Sequence, residues 1–390
     1  MPDTGSLKIL VLAHDLSDAA IVRRVAMLRA GGAVVTAAGF RRTAQPIGSV
    51  DGCRTVDFGR TFNAGFVRRM LSVLRETATI KKHVALFRDA DVIIARNLEM
   101  LAIGVRGRSL CAHAPVLVYE CLDIHRLMLN EGPEGYFLRL LEGWLSRRAA
   151  ALFTSSPAFV ANYFNRRSRV KLPIRMIENK VLDIDGETSS PAALPPRTPG
   201  PPWIIGWFGI IRCPRSLRIL TDLVQQSKGT IEVVIRGRPA EDLFGDLGKK
   251  LADMPGIKFL GPYKNPADLA GIYRGVHFSW AIDMFDQGLN SSWLLPNRIY
   301  EGGLYGAVPI AIKSVETGKY LKSLGVGALI DDPISLSLAD FFETLTPERY
   351  RELESGVLKK PRSTWVYERE DCRQLVTYLD GLRYARGLDG

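Results

Sequence analysis

Residues 294–312 read LLPNRIYEGGLYGAVPIAI. A proline and an arginine come just before the lone acid Glu301, glycines follow it, and an apolar run begins at Ala307. This order predicts a helix with Glu301 at its head, followed by a buried supporting strand over 307–312. The stretch therefore indicates one helix-strand unit of an α/β fold, and its single acid is a candidate binding residue.

The same alternation of short apolar strands and helical patterns runs through the chain. Continuous apolar strands imply parallel sheets covered on both faces. A stretch with six prolines and no apolar periodicity, residues 183–202, separates two such series. We therefore predict two doubly wound α/β domains that face each other across a ligand-binding cleft at the carboxyl ends of their strands. The predicted divisions are 1–185 for the first domain, 186–202 for the linker, 203–362 for the second domain and 363–390 for a C-terminal helix.

Length, composition and cysteine use indicate a globular protein. The chain has 390 residues and 46% apolar content, enough for about two domains. No stretch approaches the roughly 20 apolar residues that span a bilayer, and the N-terminus lacks the charge pattern of a secretion signal. Its five cysteines are scattered and show no CxxC spacing, which favours neither disulfides nor a zinc site. We expect an intracellular protein.

Positive charge is concentrated in the first half of the chain. Residues 1–190 hold 27 Lys and Arg against 18 Asp and Glu, within a formal net charge of +11 for the whole chain. Apolar residues recur at helical spacing between Arg60 and Arg88, which predicts an amphipathic helix with a cationic flank. This flank is either a solvated face or a surface that attracts anionic lipid or a phosphate-bearing acceptor. Nucleic acid is disfavoured, because no interleaved aromatics or binding motif are present. The basic residues are Arg60, Arg68, Arg69, Arg75, Lys81, Lys82 and Arg88.

Five segments, taken in order, resemble glycosyltransferase family four. They are DAAIVRRVAMLRAGGAVVTAAGF (18–40), ALFTSSPAFVANYF (151–164), IENKVLDID (177–185), GWFGIIRCPRS (206–216) and RIYEGGLYGAVPIA (298–311). The resemblance covers most of the chain, and its last two segments are the most specific. It implies the GT-B fold, with two Rossmann-like domains and a C-terminal helix that crosses back to the first domain. More narrowly, the chain is similar to glycosyltransferases of succinoglycan-type exopolysaccharide biosynthesis.

The second domain is expected to bind the nucleotide sugar without a metal or other cofactor. Arg212 and Arg215 lie between a predicted strand and helix, where guanidinium groups and free amides can neutralise a diphosphate, and Arg298 is a third candidate. The alternative is that these arginines are surface charges. A carboxylate suits a vicinal diol, and the resemblance identifies Glu301 as the ribose-binding acid, although the helix dipole alone also favours a glutamate there. The remaining candidates are Gly209, Tyr263, Asn290, Gly302 and Gly303. Gly302, Gly303 and Gly306 would allow close backbone approach.

The resemblance is incomplete next to this acid. The family motif has a second acid eight residues before Glu301, where this chain has Trp293, and Pro309 lies one residue further away than usual. Retention or inversion of anomeric configuration is therefore left open. Asp283, Asp286 or Asn290 is an alternative contact for the donor sugar, or a turn residue.

The first domain is expected to hold the acceptor and a catalytic base. His14 and Asp15 follow one predicted strand, and Asp123 and His125 follow another, all at carboxyl ends. A carboxylate there can act as the base, and a histidine can bind the donor or act as the base. The alternative for a lone histidine is a hydrogen-bonded structural role.

Other enzyme classes fit less well. Asp183 and Asp185 match the DxD of a metal-dependent transferase, but they lie at the mouth of the proline-rich stretch. Neither G-x-G-x-x-G after the first strand nor a P-loop is present. We predict transfer of a hexose, with UDP as the expected nucleotide, to a lipid-diphosphate-linked oligosaccharide at the cytoplasmic membrane face. A nucleotide-sugar epimerase of the same fold and a non-catalytic membrane-surface adaptor are the alternatives.

Overall fold

A computed structural model describes residues 6–61, 77–186 and 197–387. The chain divides into two compact units. The first contains residues 1–178 and 367–390, and the second contains residues 179–366. The chain thus passes between units at residues 178 and 366, whereas the sequence-based divisions lay at 185 and 362.

The first unit is built on a sheet of eight strands in the order β3-β4-β2-β1-β5-β6-β7-β8. All neighbouring strands are parallel except β3 and β4, which form an antiparallel hairpin. The central strands are buried along their whole length apart from the first residue of β1, as expected for a parallel sheet with both faces covered. The strands are β1 (Lys8–Ala13), β2 (Val34–Arg41), β3 (Ser49–Val50), β4 (Cys53–Arg60), β5 (Val92–Arg96), β6 (Val116–Glu120), β7 (Ala151–Thr154) and β8 (Ile174–Met176).

Helices connect these strands, and the first begins and ends on local sequence signals. The Asp18 side chain accepts a hydrogen bond of 2.8 Å from the Ala20 amide and caps the first helix, which stops at Gly31. Gly32 follows with φ of 97°, a backbone conformation that glycine adopts without steric cost. The helices are α1 (Ala19–Ala30), α2 (Val84–Arg88), α3 (Asn97–Arg108), α4 (Arg126–Leu129), α5 (Pro133–Ser146) and α6 (Pro157–Phe159).

The predicted cationic helix between residues 60 and 88 is wrong at its start. Arg60 is the last residue of β4, whose hairpin with β3 the sequence analysis missed. Residues 62–76, including Arg68, Arg69 and Arg75, lie outside the described part of the chain. Further on, Ile80 and Phe87 are buried while Lys81 and Lys82 are exposed, so this end of the segment is amphipathic as expected.

The second unit contains a parallel sheet of six strands in the order β12-β11-β10-β13-β14-β15. The strands predicted over 203–209, 231–237, 257–263, 276–282 and 307–312 are present as β10 to β14, and β15 was not predicted. The strands are β9 (Val181–Leu182), β10 (Trp203–Ile211), β11 (Ile231–Pro239), β12 (Ile257–Phe259), β13 (Phe278–Trp280), β14 (Val308–Ile312) and β15 (Ala328–Ile330). The helices are α7 (Pro214–Gln226), α8 (Glu241–Phe244), α9 (Leu247–Leu251), α10 (Leu269–Arg274), α11 (Asn290–Trp293), α12 (Asn297–Leu304), α13 (Glu316–Leu324), α14 (Ile334–Glu343) and α15 (Pro347–Leu358).

The chain ends with β16 (Val366–Tyr367) and the long helix α16 (Arg369–Gly387), which belongs to the first unit. This helix packs against the end of α1 at close range. A Cβ at Gly31 would lie 2.3 Å from the backbone oxygen of Cys372, so only glycine fits at that contact. Arg383 adds an ion pair of 3.0 Å with Asp91 in the same unit.

One arginine, Arg197, anchors the described end of the proline-rich stretch to the rest of the second unit. The Arg197 side chain is only 4% exposed and forms an ion pair of 2.5 Å with Glu354. Its two terminal nitrogens also donate to the backbone oxygens of Gly306, Tyr305 and Tyr273, at 3.2, 2.9 and 2.7 Å. A buried guanidinium is stable only with such partners, so Arg197 holds this part of the chain against the second unit.

We expect Arg197→Ala to lower the free energy of unfolding of the second unit by about 3–5 kcal/mol, because Glu354 and three carbonyl groups lose their donor. Urea titration followed by tryptophan fluorescence measures this, since five of the six tryptophans lie in the second unit. Arg349→Ala is the matched control, because its ion pair with Glu352 is 61% and 67% exposed and should contribute under about 1 kcal/mol. Equal effects of the two substitutions would contradict the assignment.

Candidate functional site

The Glu301 carboxylate is buried inside the second unit and held by two donors. The residue is 5% exposed and is the fifth residue of α12, so the prediction that it stands at the helix head is wrong. Asn265 donates to one carboxylate oxygen at 3.0 Å, and the Tyr273 hydroxyl donates to the other at 2.8 Å. One donor on each oxygen fixes the orientation of the carboxylate.

Ionisable groups around Glu301 define one electrostatic cluster. Burial raises the pKa of the Tyr273 hydroxyl, and the Glu301 carboxylate raises it further. Burial also raises the pKa of Tyr263, again with a contribution from Glu301, while Arg298 opposes both shifts. The predicted residues Tyr263, Arg298 and Glu301 therefore lie near one another.

A second carboxylate, Asp283, lies between two of the predicted arginines. Burial alone would raise the pKa of Asp283, but Arg298 and Arg212 hold it below its usual value. The Arg212 guanidinium is 3.3 Å from Asp283 and lies 5.0 Å from the centre of the Phe285 ring. Because the Arg212 side chain stays 41% exposed, this pair holds a cation in place while leaving one side of it open to solvent.

The neighbouring loop supports this arrangement. The Ser291 hydroxyl donates to Asp283 at 2.6 Å, and the Phe285 amide donates to the same carboxylate at 3.0 Å. Asn290 begins α11 one residue before this serine, and Asp286 accepts backbone hydrogen bonds through its carbonyl oxygen. Asp283 therefore has a structural role in holding the loop, as one of the two sequence-based alternatives expected.

Arg215 and Gly209 lie at the carboxyl end of β10. Arg215 is the second residue of α7 rather than part of the preceding turn, and its guanidinium donates to the Gln287 side chain. Gly209 has φ of 110° and is in register with Gly237 on β11. A Cβ at Gly237 would lie 1.7 Å from the Gly209 carbonyl oxygen, so the glycine at 237 allows the two strand ends to approach closely.

Gly302 and Gly303 are explained by helix packing. A Cβ at Gly302 would lie 2.7 Å from the Ser279 hydroxyl oxygen, and one at Gly303 would lie 2.6 Å from the Trp365 ring. Both glycines therefore let α12 pack closely on its neighbours. Close approach of a ligand to their backbone stays a prediction, and what they contribute here is the position of Glu301.

In the first unit, His14 and Asp15 follow β1 and differ in their surroundings. Asp15 is 5% exposed, and its carboxylate accepts from the amide and hydroxyl of Ser17 at 3.0 and 2.6 Å. His14 is 3.6 Å from the Asp18 carboxylate, and its buried Nδ1 has no hydrogen-bond partner among the described residues. Burial lowers the pKa of His14, against the opposing effect of Asp18 and with further lowering from Arg96.

Asp123 and His125 follow β6, one strand removed from β1 across β5. Both residues are exposed. The His125 side chain caps α4 by accepting a hydrogen bond of 3.3 Å from the Leu127 amide. The four predicted catalytic residues thus share the carboxyl edge of one sheet, in two separate pairs, and their catalytic roles stay predictions.

Several residues that organise the candidate sites of the two units were not among the predicted ones. In the first unit, Glu120 is fully buried between Arg24, at 2.7 Å, and Arg96, at 3.6 Å. In the second unit, Asn265 and Tyr273 hold the Glu301 carboxylate. A charge that ends an apolar strand, as in VIIAR and VLVYE, was the available signal for Arg96 and Glu120. No local pattern pointed to Asn265.

In the described part of the chain, no group of three or more His, Cys, Asp or Glu is arranged to hold a metal. Asp183, from the discounted DxD match, pairs with Arg362. No helix among the same residues is long and apolar enough to cross a bilayer.

No protein-family model matches the chain. Succinoglycan biosynthesis protein ExoL of Rhizobium meliloti (strain 1021) is 45% identical over 377 residues, 96% of this chain and 93% of ExoL. Among solved structures, sucrose-phosphate synthase of Thermosynechococcus elongatus matches with a TM-score of 0.72 and 14% identity, over 97% of this chain and all of that one.

Anabaena HepE in complex with UDP-glucose matches with a TM-score of 0.64 and 17% identity, over 95% of this chain and 98% of HepE. At such identities these structures establish the fold, and the predicted GT-B architecture is confirmed. The match to ExoL confirms the predicted relation to exopolysaccharide biosynthesis proteins. The chain belongs to the family of the succinoglycan biosynthesis protein ExoL and has the GT-B glycosyltransferase fold.

Proposed function

We propose that the protein transfers a hexose from UDP-hexose to a lipid-diphosphate-linked oligosaccharide during exopolysaccharide assembly. The observation that carries this proposal is the buried, doubly held Glu301 carboxylate beside Arg298 in a GT-B unit. Family membership supports the biological process, because the related protein is named for succinoglycan biosynthesis. A solved neighbour that was crystallised with UDP-glucose supports the choice of nucleotide.

In this proposal the Glu301 carboxylate accepts hydrogen bonds from both ribose hydroxyls of the donor. Asn265 and Tyr273 hold the carboxylate in one orientation, so little ordering is left for the ligand to impose. Arg212 and Arg298 face the diphosphate. Guanidinium groups suit phosphate oxygens because their N–H groups form a planar fork.

The reaction breaks the bond between the sugar C1 and a phosphate oxygen, and forms a bond between C1 and the acceptor hydroxyl oxygen. UDP leaves with the electron pair of the broken bond, so negative charge grows on the diphosphate. Arg212 and Arg298 stabilise that charge as fixed cations, and no metal ion is required. The hydroxyl proton passes to a base, for which His14 is the candidate because burial keeps its ring neutral.

The acceptor and its location complete the proposal. A saccharide on a lipid diphosphate stays at the membrane, so the enzyme must work there. The face that we propose is the cytoplasmic one. The excess of Lys and Arg in the first half of the chain favours attraction to anionic lipid. Binding at the surface, rather than insertion across the bilayer, is the mode that we propose.

Two substitutions separate ribose recognition from diphosphate recognition. We expect Glu301→Gln to weaken binding of both UDP and uridine by roughly 1–3 kcal/mol, because a neutral amide offers one acceptor oxygen instead of two. Arg212→Gln should weaken UDP binding by a similar ~1–3 kcal/mol and leave uridine binding unchanged. Isothermal titration calorimetry and ligand competition measure these affinities.

The matched control is Glu343→Gln, which changes an exposed glutamate of the same unit. Thermal unfolding of each variant checks that it folds. Unchanged UDP affinity in a folded Glu301→Gln protein would reject the ribose role. Loss of uridine affinity in Arg212→Gln would reject the division between the two groups.

Metal independence has its own test. UDP binding and sugar transfer should persist after dialysis against a chelator, because the proposed counter-charges are arginines. Calorimetry measures binding, and mass spectrometry of lipid extracts incubated with UDP-hexose measures transfer. A strict requirement for Mg²⁺ or Mn²⁺ would refute this part of the proposal. Release of a new free nucleotide sugar without any acceptor would instead indicate an epimerase.

The histidine base makes a prediction about pH. We expect the His14 ring to titrate below 6.5, because burial disfavours the charged imidazolium. The folded state then binds fewer protons than the unfolded state, so this group lowers stability as pH falls below 6.5. Proton NMR, with His14→Gln to assign the signal, gives the midpoint. A midpoint above 6.5 would contradict a neutral, buried base.

A further inference from the structure

The helix α5 carries large aromatic side chains on its outer face. Its inner stripe, which includes Leu138, Glu142 and Leu145, is buried in the first unit. On the outer side Tyr136 is 51% exposed, and Phe137 is 64% and Trp144 51% exposed. Exposed aromatics that recur on one side of a helix usually mark an interaction surface. We call Tyr136, Phe137 and Trp144, with Arg148 and Arg169, the aromatic face.

Arginines lie directly on two of these rings. The Arg148 guanidinium is 4.5 Å from the centre of the Trp144 ring, and that of Arg169 is 5.3 Å from the centre of the Tyr136 ring. Arg169 also donates to the Tyr136 hydroxyl at 3.1 Å. An arginine side chain therefore stacks on an aromatic ring at each end of the aromatic face.

A buried hydrogen-bond network holds residues 165–171 against this helix. We call these residues the basic segment. Glu142 accepts hydrogen bonds from the hydroxyls of Tyr119, Tyr163 and Ser168 at 2.9, 2.8 and 2.7 Å. A Cβ at Gly143 would lie 2.6 Å from the Arg169 Cβ, so this glycine permits the close approach. The basic segment is thus part of the same rigid surface as the aromatic rings.

The charged side chains around the aromatic face are almost all positive. From residue 135 to 171 there are seven Lys and Arg and one acid, the buried Glu142. The nearest exposed acids along the chain come just before this range, at Glu131 and Glu134. A folded protein partner would need acids matched to individual arginines, whereas an anionic bilayer offers continuous negative charge and a headgroup layer that accepts aromatic rings.

We infer that the aromatic face docks the protein on an anionic phospholipid bilayer, with Phe137 and Trp144 entering the interfacial layer. This inference rests on the proposed function for its purpose, since it identifies the surface that holds the enzyme beside a lipid-linked acceptor. It assigns the docking surface to α5 and residues 165–171, rather than to the basic stretch between residues 60 and 88.

Vesicle binding tests the inference directly. We expect the protein to float with phosphatidylcholine vesicles that contain phosphatidylglycerol, and Phe137→Ala with Trp144→Ala to reduce the partition coefficient about tenfold or more. Arg147→Gln with Arg166→Gln should reduce it several-fold and weaken its dependence on salt. The controls are Leu336→Ala, which removes a side chain 70% exposed in the second unit, and Lys249→Gln with Lys250→Gln.

The fluorescence of Trp144 also tests whether this side chain enters the bilayer. Trp203, Trp207, Trp280 and Trp365 are at most 3% exposed, Trp293 of the second unit is half-buried, and Trp144 is 51% exposed, so brominated lipid should quench mainly Trp144. Trp144→Phe should then abolish most of the quenching and keep vesicle binding. Absence of quenching in wild-type protein bound to vesicles would overturn the assignment of this face.

The outcomes separate this inference from the proposed function. Vesicle binding that the α5 variants leave unchanged, or that the controls reduce equally, overturns the docking surface and leaves the proposed reaction intact. The docking surface is likewise overturned if wild-type protein fails to bind vesicles, or if only a protein partner binds the face. UDP affinity, measured on the same variants, should stay unchanged, and a protein that binds no UDP would instead defeat the proposed function.

Discussion

In both units helices cover the two faces of a parallel sheet. Polar side chains that bind ligands are therefore confined mainly to the carboxyl ends of the strands. Along the central strands most side chains are apolar or small, because helices cover each face, and the charged exceptions Arg96 and Glu120 stand at the carboxyl ends of β5 and β6. At the carboxyl ends the chain turns into loops and helix starts, where amides and charged side chains can meet a ligand. His14, Asp123, Gly209 and Arg212 all occur at such ends. The fold thus collects reactive residues that are far apart in sequence.

Buried carboxylates at or near these edges are stabilised in three different ways. Glu120 lies between the two arginines Arg24 and Arg96, which keep its pKa below the usual value despite burial. Glu142 accepts from hydroxyl groups, and burial raises its pKa. Glu301 accepts from one amide and one phenol with a cation nearby. The third arrangement fixes the orientation of the carboxylate through one neutral donor on each oxygen.

The proposed membrane docking and the proposed donor binding require different kinds of exposed surface. The aromatic face leaves large rings uncovered on α5, where solvent exposure is unfavourable until a partner covers them. The proposed donor site keeps its acid buried and exposes only part of Arg212. One structure holds both because each is built on a rigid helix whose buried side is closely packed, at Gly143 in the first unit and at Gly302 in the second.

Apolar periodicity and glycine placement in the sequence determined the fold class, most strands and the helices α1 and α7, because both signals act locally. The same local logic placed Arg212 just after a strand. It misplaced Glu301 at a helix head and extended a helix through Arg60, since helix limits depend on packing. Only the tertiary structure showed that Asn265 and Tyr273 hold Glu301, and that Arg169 lies on Tyr136. Those partners come from distant segments, and no periodicity within one segment records which side chains folding brings together.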